Sequence, residues 1–233
     1  MTTARRLGAP DAKNRVLLLD AAEQLMVEEG YAAVTSRRLA NKAGLKPQLV
    51  HYYFRTMEEL FLEVFRRRAE EALEVHAKLL QSPQPLWAVW RFGTDPAFTR
   101  ISMEFMALAN HRKEMRAEIA YYAERFREEQ RQAVTAALQR YEADSGGIPP
   151  VVWTVLMTSL SRFLVLEQAV GISAGHAETM ELIERHLRRL EGEPQPFAGV
   201  PDTWLVHQFR SEQSAPLGPP LDTTTTPSTA STQ

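Results

Sequence analysis

The chain has 233 residues, of which 44% are apolar, and a formal net charge of −2 at pH 7. This length and apolar content suffice for one large or two small domains with a hydrophobic core. The absence of cysteine excludes disulfides, thiolate metal sites and cysteine nucleophiles, and it fits a reducing compartment. The opening sequence MTTARRLGAPDAKN lacks the apolar run of a secretion signal, so we expect a cytoplasmic protein.

The first three predicted helices are separated by glycine-containing turns. Residues 15–29 have apolar side chains at the three-and-four spacing of one helical face. Thr35 occupies the N-cap position of a second helix that ends at Gly44, and Pro47 has the fixed φ that suits the first turn of a third helix. Two short helices joined by a glycine turn predict a helix-turn-helix over about residues 35–54.

This region is basic although the whole protein is not. No Asp or Glu occurs from residue 31 to residue 57, and five cationic side chains lie there: Arg37, Arg38, Lys42, Lys46 and Arg55. On the third helix, Leu49, Val50 and Tyr53 are predicted to face the first two helices. The opposite face carries polar, aromatic and cationic groups: Lys46, Gln48, His51 and Tyr52. A helix of this size fits the major groove of DNA, where such groups contact base edges and phosphates.

Many spaced positions over about fifty residues agree with one family: Ala21-Ala22, Gly30-Tyr31, Val34-Thr35, Leu39-Ala40, Ala43-Gly44-Leu45, Tyr52-Tyr53-Phe54 and Glu58-Glu59-Leu60. In these positions the chain resembles the DNA-binding domain of the TetR/AcrR (tetracycline-repressor-like) family. The resemblance implies an all-α protein with an N-terminal three-helix, homeodomain-like helix-turn-helix domain and a C-terminal helical bundle. It further implies a homodimeric repressor of palindromic operator DNA that a small molecule releases.

By position, the resemblance implies DNA contacts from ten residues: Thr35, Arg37, Lys46, Pro47, Gln48, His51, Tyr52, Tyr53, Arg55 and Thr56. Two positions depart from the family. His51 stands where tyrosine is usual, and Met57 stands where a phosphate-binding lysine is common. Arg55 is a candidate replacement for that charge, and the free amides after Thr56 are another phosphate site. Tyr53 is either a core residue or a phosphate contact.

The rest of the chain is predicted to form helices over residues 56–80, 86–92, 96–110, 112–143, 151–170 and 178–190. We expect four regions: an arm (1–12), the helix-turn-helix domain (13–57), a ligand-binding and dimerisation domain (58–190) and a largely disordered Pro/Thr/Ser-rich tail (191–233). In the arm, Arg5 and Arg6 either enter a minor groove or belong to a disordered segment. In the tail, a short apolar patch at 204–209 is a candidate docking segment.

Aromatic and methionine side chains are dense in the predicted bundle. Such side chains line the ligand cavities of helical bundles, although at helical spacing they also form plain core. The candidate pocket residues are Trp87, Trp90, Phe105, Met106, Tyr122, Phe126, Trp153 and Met157. They predict a lipophilic or aromatic effector.

Residues 151–170 are apolar over about the length of a membrane span. Arg162 and Glu167 argue against a span, so we expect this helix to be buried against its own domain and a partner subunit. The resemblance implies a homodimer through the helices at about 151–171 and 176–190. Arg162 and Glu167 either pair with each other, within or across the interface, or are solvated.

Other function classes receive little support from the sequence. The six histidines are scattered, without an HxxxH or HExxH pair, and no phosphate-binding glycine loop or nucleophile elbow occurs. We therefore expect no catalysis, no metal and no cofactor. The remaining alternative is a helical ligand-binding or adaptor protein that retains the helix-turn-helix fold without sequence-specific DNA binding, although an adaptor has no need of a surface free of acids.

Overall fold

The structure is a computed structural model that describes residues 9–142 and 147–197. Within these ranges the chain forms nine α-helices, one short 3-10 turn and no strand, which confirms the predicted all-α class. The arginines of the predicted arm, Arg5 and Arg6, and the apolar patch at 204–209 lie outside the described residues.

Three helices form the N-terminal domain: α1 (Ala9–Glu29), α2 (Ser36–Ala43) and α3 (Pro47–Tyr53). The start of α2 is fixed by Thr35, whose hydroxyl accepts a hydrogen bond from the backbone N–H of Arg38. Its end is fixed by Gly44, which adopts the left-handed conformation with φ of 67°. Pro47 occupies the first turn of α3. The predicted boundaries of both helices are therefore confirmed.

Six further helices follow: α4 (Met57–Leu80), α5 (Pro85–Gly93), α6 (Pro96–Ala109), α7 (Lys113–Arg140), α8 (Pro150–Ala169) and α9 (His176–Glu191). Proline lies in the first turn of α5, α6 and α8, where its missing N–H removes no helical hydrogen bond. One predicted end was wrong, because the helix predicted to reach residue 143 ends at Arg140. The last helix begins at His176, as expected for the dimer helices, directly after the left-handed Gly175.

The core of the N-terminal domain continues into the second domain. Leu39 of α2 and Phe54 after α3 pack in one cluster with Leu60 of α4, Phe105 of α6 and Met115 of α7. All five side chains are buried. The helix-turn-helix is therefore seated on α4, α6 and the start of α7, so these helices can transmit a movement to it.

The helices α5 and α8 are so close at Gly93 that no side chain fits there. A Cβ atom at this position would lie 2.1 Å from the Oγ of Ser161. We expect Gly93→Val to separate the helices and lower the free energy of unfolding by about 1–3 kcal/mol, measured by urea denaturation. Gly93→Ala combined with Ser161→Gly should recover most of this loss, and a Gly93→Val protein as stable as the wild type would contradict the contact.

Residues 191–197, expected to begin the tail, are held against α5. The carboxylate of Glu191 accepts hydrogen bonds from the backbone N–H groups of Leu86 at 3.0 Å and Trp87 at 2.9 Å. The side-chain amide of Gln84 donates to the carbonyl oxygens of Glu191 and Glu193. The start predicted for the tail was wrong because the Glu191 carboxylate satisfies free amides at the N-terminus of α5.

One face of α8 remains uncovered. The small polar residues Thr154, Thr158 and Ser161 are buried, whereas Leu156 and Phe163 are 51% and 56% exposed. By length and composition α8 is the one helix among the described residues that is able to cross a membrane, and 22% of its most apolar stretch is buried. Within residues 9–142 and 147–197, no other segment covers this apolar stripe on α8.

Candidate nucleic-acid interface and ligand cavity

The third helix presents a polar face to solvent. Val50 is buried against the core and Leu49 is half-buried, as predicted from their spacing. The exposed residues in and next to α3 are Lys46, Pro47, Gln48, His51 and Tyr52. This face carries an amide, an imidazole, a phenol and an ammonium group, which are suited to base edges and phosphates.

Ion pairs divide the basic region into two sets. Arg38 pairs with Glu29, and the ammonium of Lys42 lies 2.6 Å from the carboxylate of Glu28, so both cations tie α2 to the end of α1. The remaining cations of the region are exposed, and their charged side-chain nitrogens have no carboxylate within 4.0 Å among the described residues: Arg37, Lys46 and Arg55. The unpaired positive charge thus lies on the side of α3 and its flanks.

The two threonines of the predicted DNA set both serve as N-caps. Thr35 accepts from the N–H of Arg38, and its own exposed hydroxyl proton remains available to a phosphate. Thr56 accepts from the N–H of Glu59 at 3.1 Å, and the Glu59 carboxylate accepts from the N–H of Arg55 at 2.8 Å. This carboxylate places negative charge at the start of α4, so a phosphate at these amides, as the sequence suggested, is disfavoured.

The two tyrosines at the end of α3 have different environments. Tyr53 is half-buried, packs against the domain core and accepts a hydrogen bond from the Asn14 amide at 3.5 Å. Tyr52 is exposed, and its ring meets that of Tyr53 edge to face at 5.0 Å. Tyr53 therefore packs in the core and supports Tyr52, while a DNA contact by either residue stays a prediction.

A cavity of about 120 Å³ lies between α4, α6, α7 and α8. It brings together four of the predicted pocket residues: Phe105, Met106, Tyr122 and Phe126. It also contains residues that the sequence analysis did not select, among them Phe65, Arg68, Phe98 and Arg162. The walls are mainly aromatic and aliphatic, and the two arginines supply the charge.

The other predicted pocket residues lie elsewhere. Trp153 and Met157 line a second apolar cavity of about 340 Å³ between α7, α8 and α9. Trp87 and Trp90, which are 2% and 1% exposed, line neither cavity. They pack in the core because α5 is enclosed by its neighbours on almost every side.

Two polar side chains of the first cavity have different partners. The hydroxyl of Tyr122 donates to the Glu70 carboxylate at 2.8 Å, and burial together with this bond raises the pKa of Tyr122 to about 12. The guanidinium of Arg162 lies 5.6 Å from the ring centroid of Phe98. Arg162 and Glu167 do not pair within the chain, where the Glu167 carboxylate lies 2.8 Å from the imidazole of His176, and a pair across a subunit interface stays a prediction.

Residues 18–64 match the family model described as "Bacterial regulatory proteins, tetR family". These residues therefore have the sequence of a TetR-family DNA-binding domain. It is 25% identical to the HTH-type transcriptional regulator BetI of Rhizobium meliloti, over 75% of this chain and 89% of that protein. TetR-family regulators bind DNA and typically form dimers that respond to small molecules.

Two solved structures show the same fold at low sequence identity. A transcriptional regulator from Saccharomonospora viridis, solved in complex with choline, superposes with a TM-score of 0.63 at 15% identity, over 76% of this chain and 95% of that one. The reduced form of NemR from E. coli superposes with a TM-score of 0.63 at 17% identity, over 78% of this chain and 100% of that one. Both superpositions extend well beyond the helix-turn-helix domain, so the fold of the helical bundle is shared as well.

Ion pairs connect α4 to the helix-turn-helix domain. The guanidinium of Arg67 lies 2.6 Å from the carboxylate of Asp20 and 3.0 Å from that of Glu23. The Nε of Arg68, a cavity residue, lies 3.1 Å from the Glu23 carboxylate. Burial raises the pKa of Glu23, and the two arginines oppose this rise by favouring its charged form. One side chain of the cavity wall is thus tied directly to α1.

A second connection runs from α6. The carboxylate of Glu104 accepts a hydrogen bond from the backbone N–H of Tyr31 at 2.6 Å, in the turn between α1 and α2. Two residues away on α6, Ser102 lines the cavity. Sequence spacing gave no signal for this bond, because its partners are 73 residues apart.

We expect Glu104→Ala to leave the Tyr31 N–H without its acceptor. Hydrogen exchange at this amide, followed by NMR, should become at least about tenfold faster, because a lost hydrogen bond of about 1.4 kcal/mol corresponds to a factor of ten. Glu104→Gln keeps an acceptor oxygen and should restore most of the protection. Equal exchange rates in all three proteins would show that the bond does not hold the turn.

Proposed function

We propose that this regulator represses transcription in the cytoplasm by binding palindromic operator DNA as a homodimer, and that a small effector releases it. The observation that carries the proposal is the exposed face of α3, flanked by cations that have no carboxylate partner among the described residues. Base-edge contacts from Gln48 and His51 would supply specificity, and Arg37 and Lys46 would contact phosphates. Tyr52 and Arg55 extend this surface on either side.

The uncovered stripe on α8 supports the homodimer. Val152, Leu156 and Phe163 are exposed on one face of α8, and Leu182 is exposed on α9. A second copy of the chain would bury these side chains through a two-fold interface, which removes apolar surface from water. Two helix-turn-helix domains related by that axis would read two half-sites about one helical turn apart, or a multiple of it.

The cavity supports release by a small molecule. Two of the helices that line it, α4 and α6, also contact the helix-turn-helix domain through Arg68 and Glu104. An effector that binds one arrangement of these helices more tightly would change the spacing of the two DNA-binding domains. A ligand with equal affinity for both arrangements would leave the DNA affinity unchanged.

The purified chain should select its own operator. Fragments of the source genome would be mixed with the protein, recovered with it at fixed salt and sequenced. A shared palindrome is the expected result, and its recovery should fall when candidate small acids or lipophilic compounds are added. Failure to enrich any palindrome at low salt would contradict the proposed function and favour the adaptor alternative.

A further inference from the structure

Arg162 differs from the other arginine of the cavity in having no carboxylate to balance its charge. Arg162 is an exposed residue of α8 that lines the cavity, with its guanidinium beside the ring of Phe98. Arg68 is balanced by Glu23 and by Glu71, whose carboxylate lies 3.0 Å away. Among residues 9–142 and 147–197, no carboxylate lies within 4.0 Å of Arg162.

The charged group that acts most strongly on Arg162 is another arginine, Arg127 of α7. Desolvation by the neighbouring protein atoms lowers the pKa of Arg162, and the positive charge of Arg127 on α7 lowers it further. Arg127 likewise has no carboxylate within 4.0 Å among the described residues. Arg162 is exposed in the single chain, so its guanidinium is accessible to an anion that enters the cavity, and an arginine without a carboxylate partner binds a carboxylate well. The cavity therefore has an apolar body and one uncompensated positive end.

We propose that the cavity binds a small amphipathic carboxylate, with its carboxylate on Arg162 and its apolar part against the aromatic side chains of α4, α6 and α7. This assignment rests on the proposed function, because it names the chemical class of the effector. A guanidinium binds a carboxylate through two parallel hydrogen bonds. Phe65, Phe98 and Phe105 supply apolar and aromatic contact surface. A quaternary ammonium ligand is disfavoured, because Arg162 would repel it.

Three ligands of equal shape test the assignment: 4-phenylbutyrate, 4-phenylbutanamide and 4-phenylbutylammonium. Each is titrated by calorimetry into the purified full-length protein at constant ionic strength. We expect the acid to bind at least about tenfold more tightly than the amide, because hydrogen bonds between two charged groups are stronger than hydrogen bonds to a neutral amide. The ammonium compound should bind most weakly of the three.

Variants of Arg162 and Arg100 test where the carboxylate of the ligand binds. Arg162→Met keeps an apolar side chain and should abolish the preference for the acid over the amide. Arg100→Met removes an exposed positive charge from α6 outside the cavity and should keep that preference. Circular dichroism melts of each variant establish that it is folded, and Arg162→Lys, which retains the charge, should preserve part of the preference if Arg162→Met does not fold.

The proposal is overturned if the acid and the amide bind equally, if neither binds at millimolar concentration, or if folded Arg162→Met keeps the preference for the acid. Equal binding is also the result expected if a carboxylate of a second subunit neutralises Arg162. The DNA affinity of the same preparations separates the two proposals. Intact operator binding without acid preference contradicts only the carboxylate assignment, and acid preference without operator binding contradicts only the repressor function.

Discussion

Replacing Gln48 and His51 together with alanine will abolish most of the sequence preference of the protein while leaving its fold and assembly intact. Both side chains are exposed on α3 and contribute nothing to the buried core of the domain. Each base contact is worth about 1–3 kcal/mol, so two lost contacts in each half-site should weaken binding to the preferred duplex at least about a hundredfold. Fluorescence anisotropy with the selected duplex and a scrambled duplex measures this.

A charge variant on the same surface provides the contrast. Lys46→Ala removes an exposed cation that we expect to contact a DNA phosphate. It should therefore weaken binding to both duplexes alike and make the DNA affinity less dependent on salt concentration. If the Gln48 and His51 double variant still distinguished the two duplexes as the wild type does, the reading face would not be the exposed side of α3.

Introducing charge on the apolar stripe of α8 will dissociate the dimer and weaken operator binding. Leu156 and Phe163 are exposed in the single chain, so Leu156→Glu with Phe163→Glu should fold normally. In a dimer the two carboxylates would be buried without partners, which is strongly unfavourable. Sedimentation should show a monomer, and affinity for the palindrome should fall by about a thousandfold, towards the level of non-specific binding.

Tyr121→Glu is the matched control for the dimer variant. Tyr121 is 58% exposed, like Phe163, but it lies on α7 rather than on α8. The Tyr121→Glu substitution should leave both the sedimentation coefficient and the operator affinity unchanged. If the α8 variant stayed dimeric, subunits would have to associate through another surface.

The helix-turn-helix could be predicted from sequence because its signals are local. The N-cap hydroxyl of Thr35, the left-handed Gly44 and the first-turn Pro47 each act on backbone groups within a few residues. The spacing of the apolar residues and the capping residues therefore predicted the bounds of α2 and α3. The alternation of core and solvent on α3 also followed from spacing, since Val50 is buried and His51 is exposed.

The ligand cavity could be predicted only in part, because it depends on how distant helices meet. Aromatic residues at helical spacing occur both in core and in cavity walls, and Trp87 and Trp90 proved to be core. Within the chain, Glu167 contacts His176, which follows the turn between α8 and α9, and this contact had no signal in the spacing of the sequence. The anchoring of residues 191–197 depends on Glu191 reaching the start of α5, which lies 105 residues away in the chain.

Sequence-specific DNA binding is tested by comparing the Kd of the wild-type protein for its selected palindrome with the Kd for a scrambled duplex of equal length, at the same salt concentration. Specific regulators bind their sites about 10³–10⁷ times more tightly than non-specific DNA. We predict at least the lower end of that range, and equal affinity for the two duplexes would contradict the account.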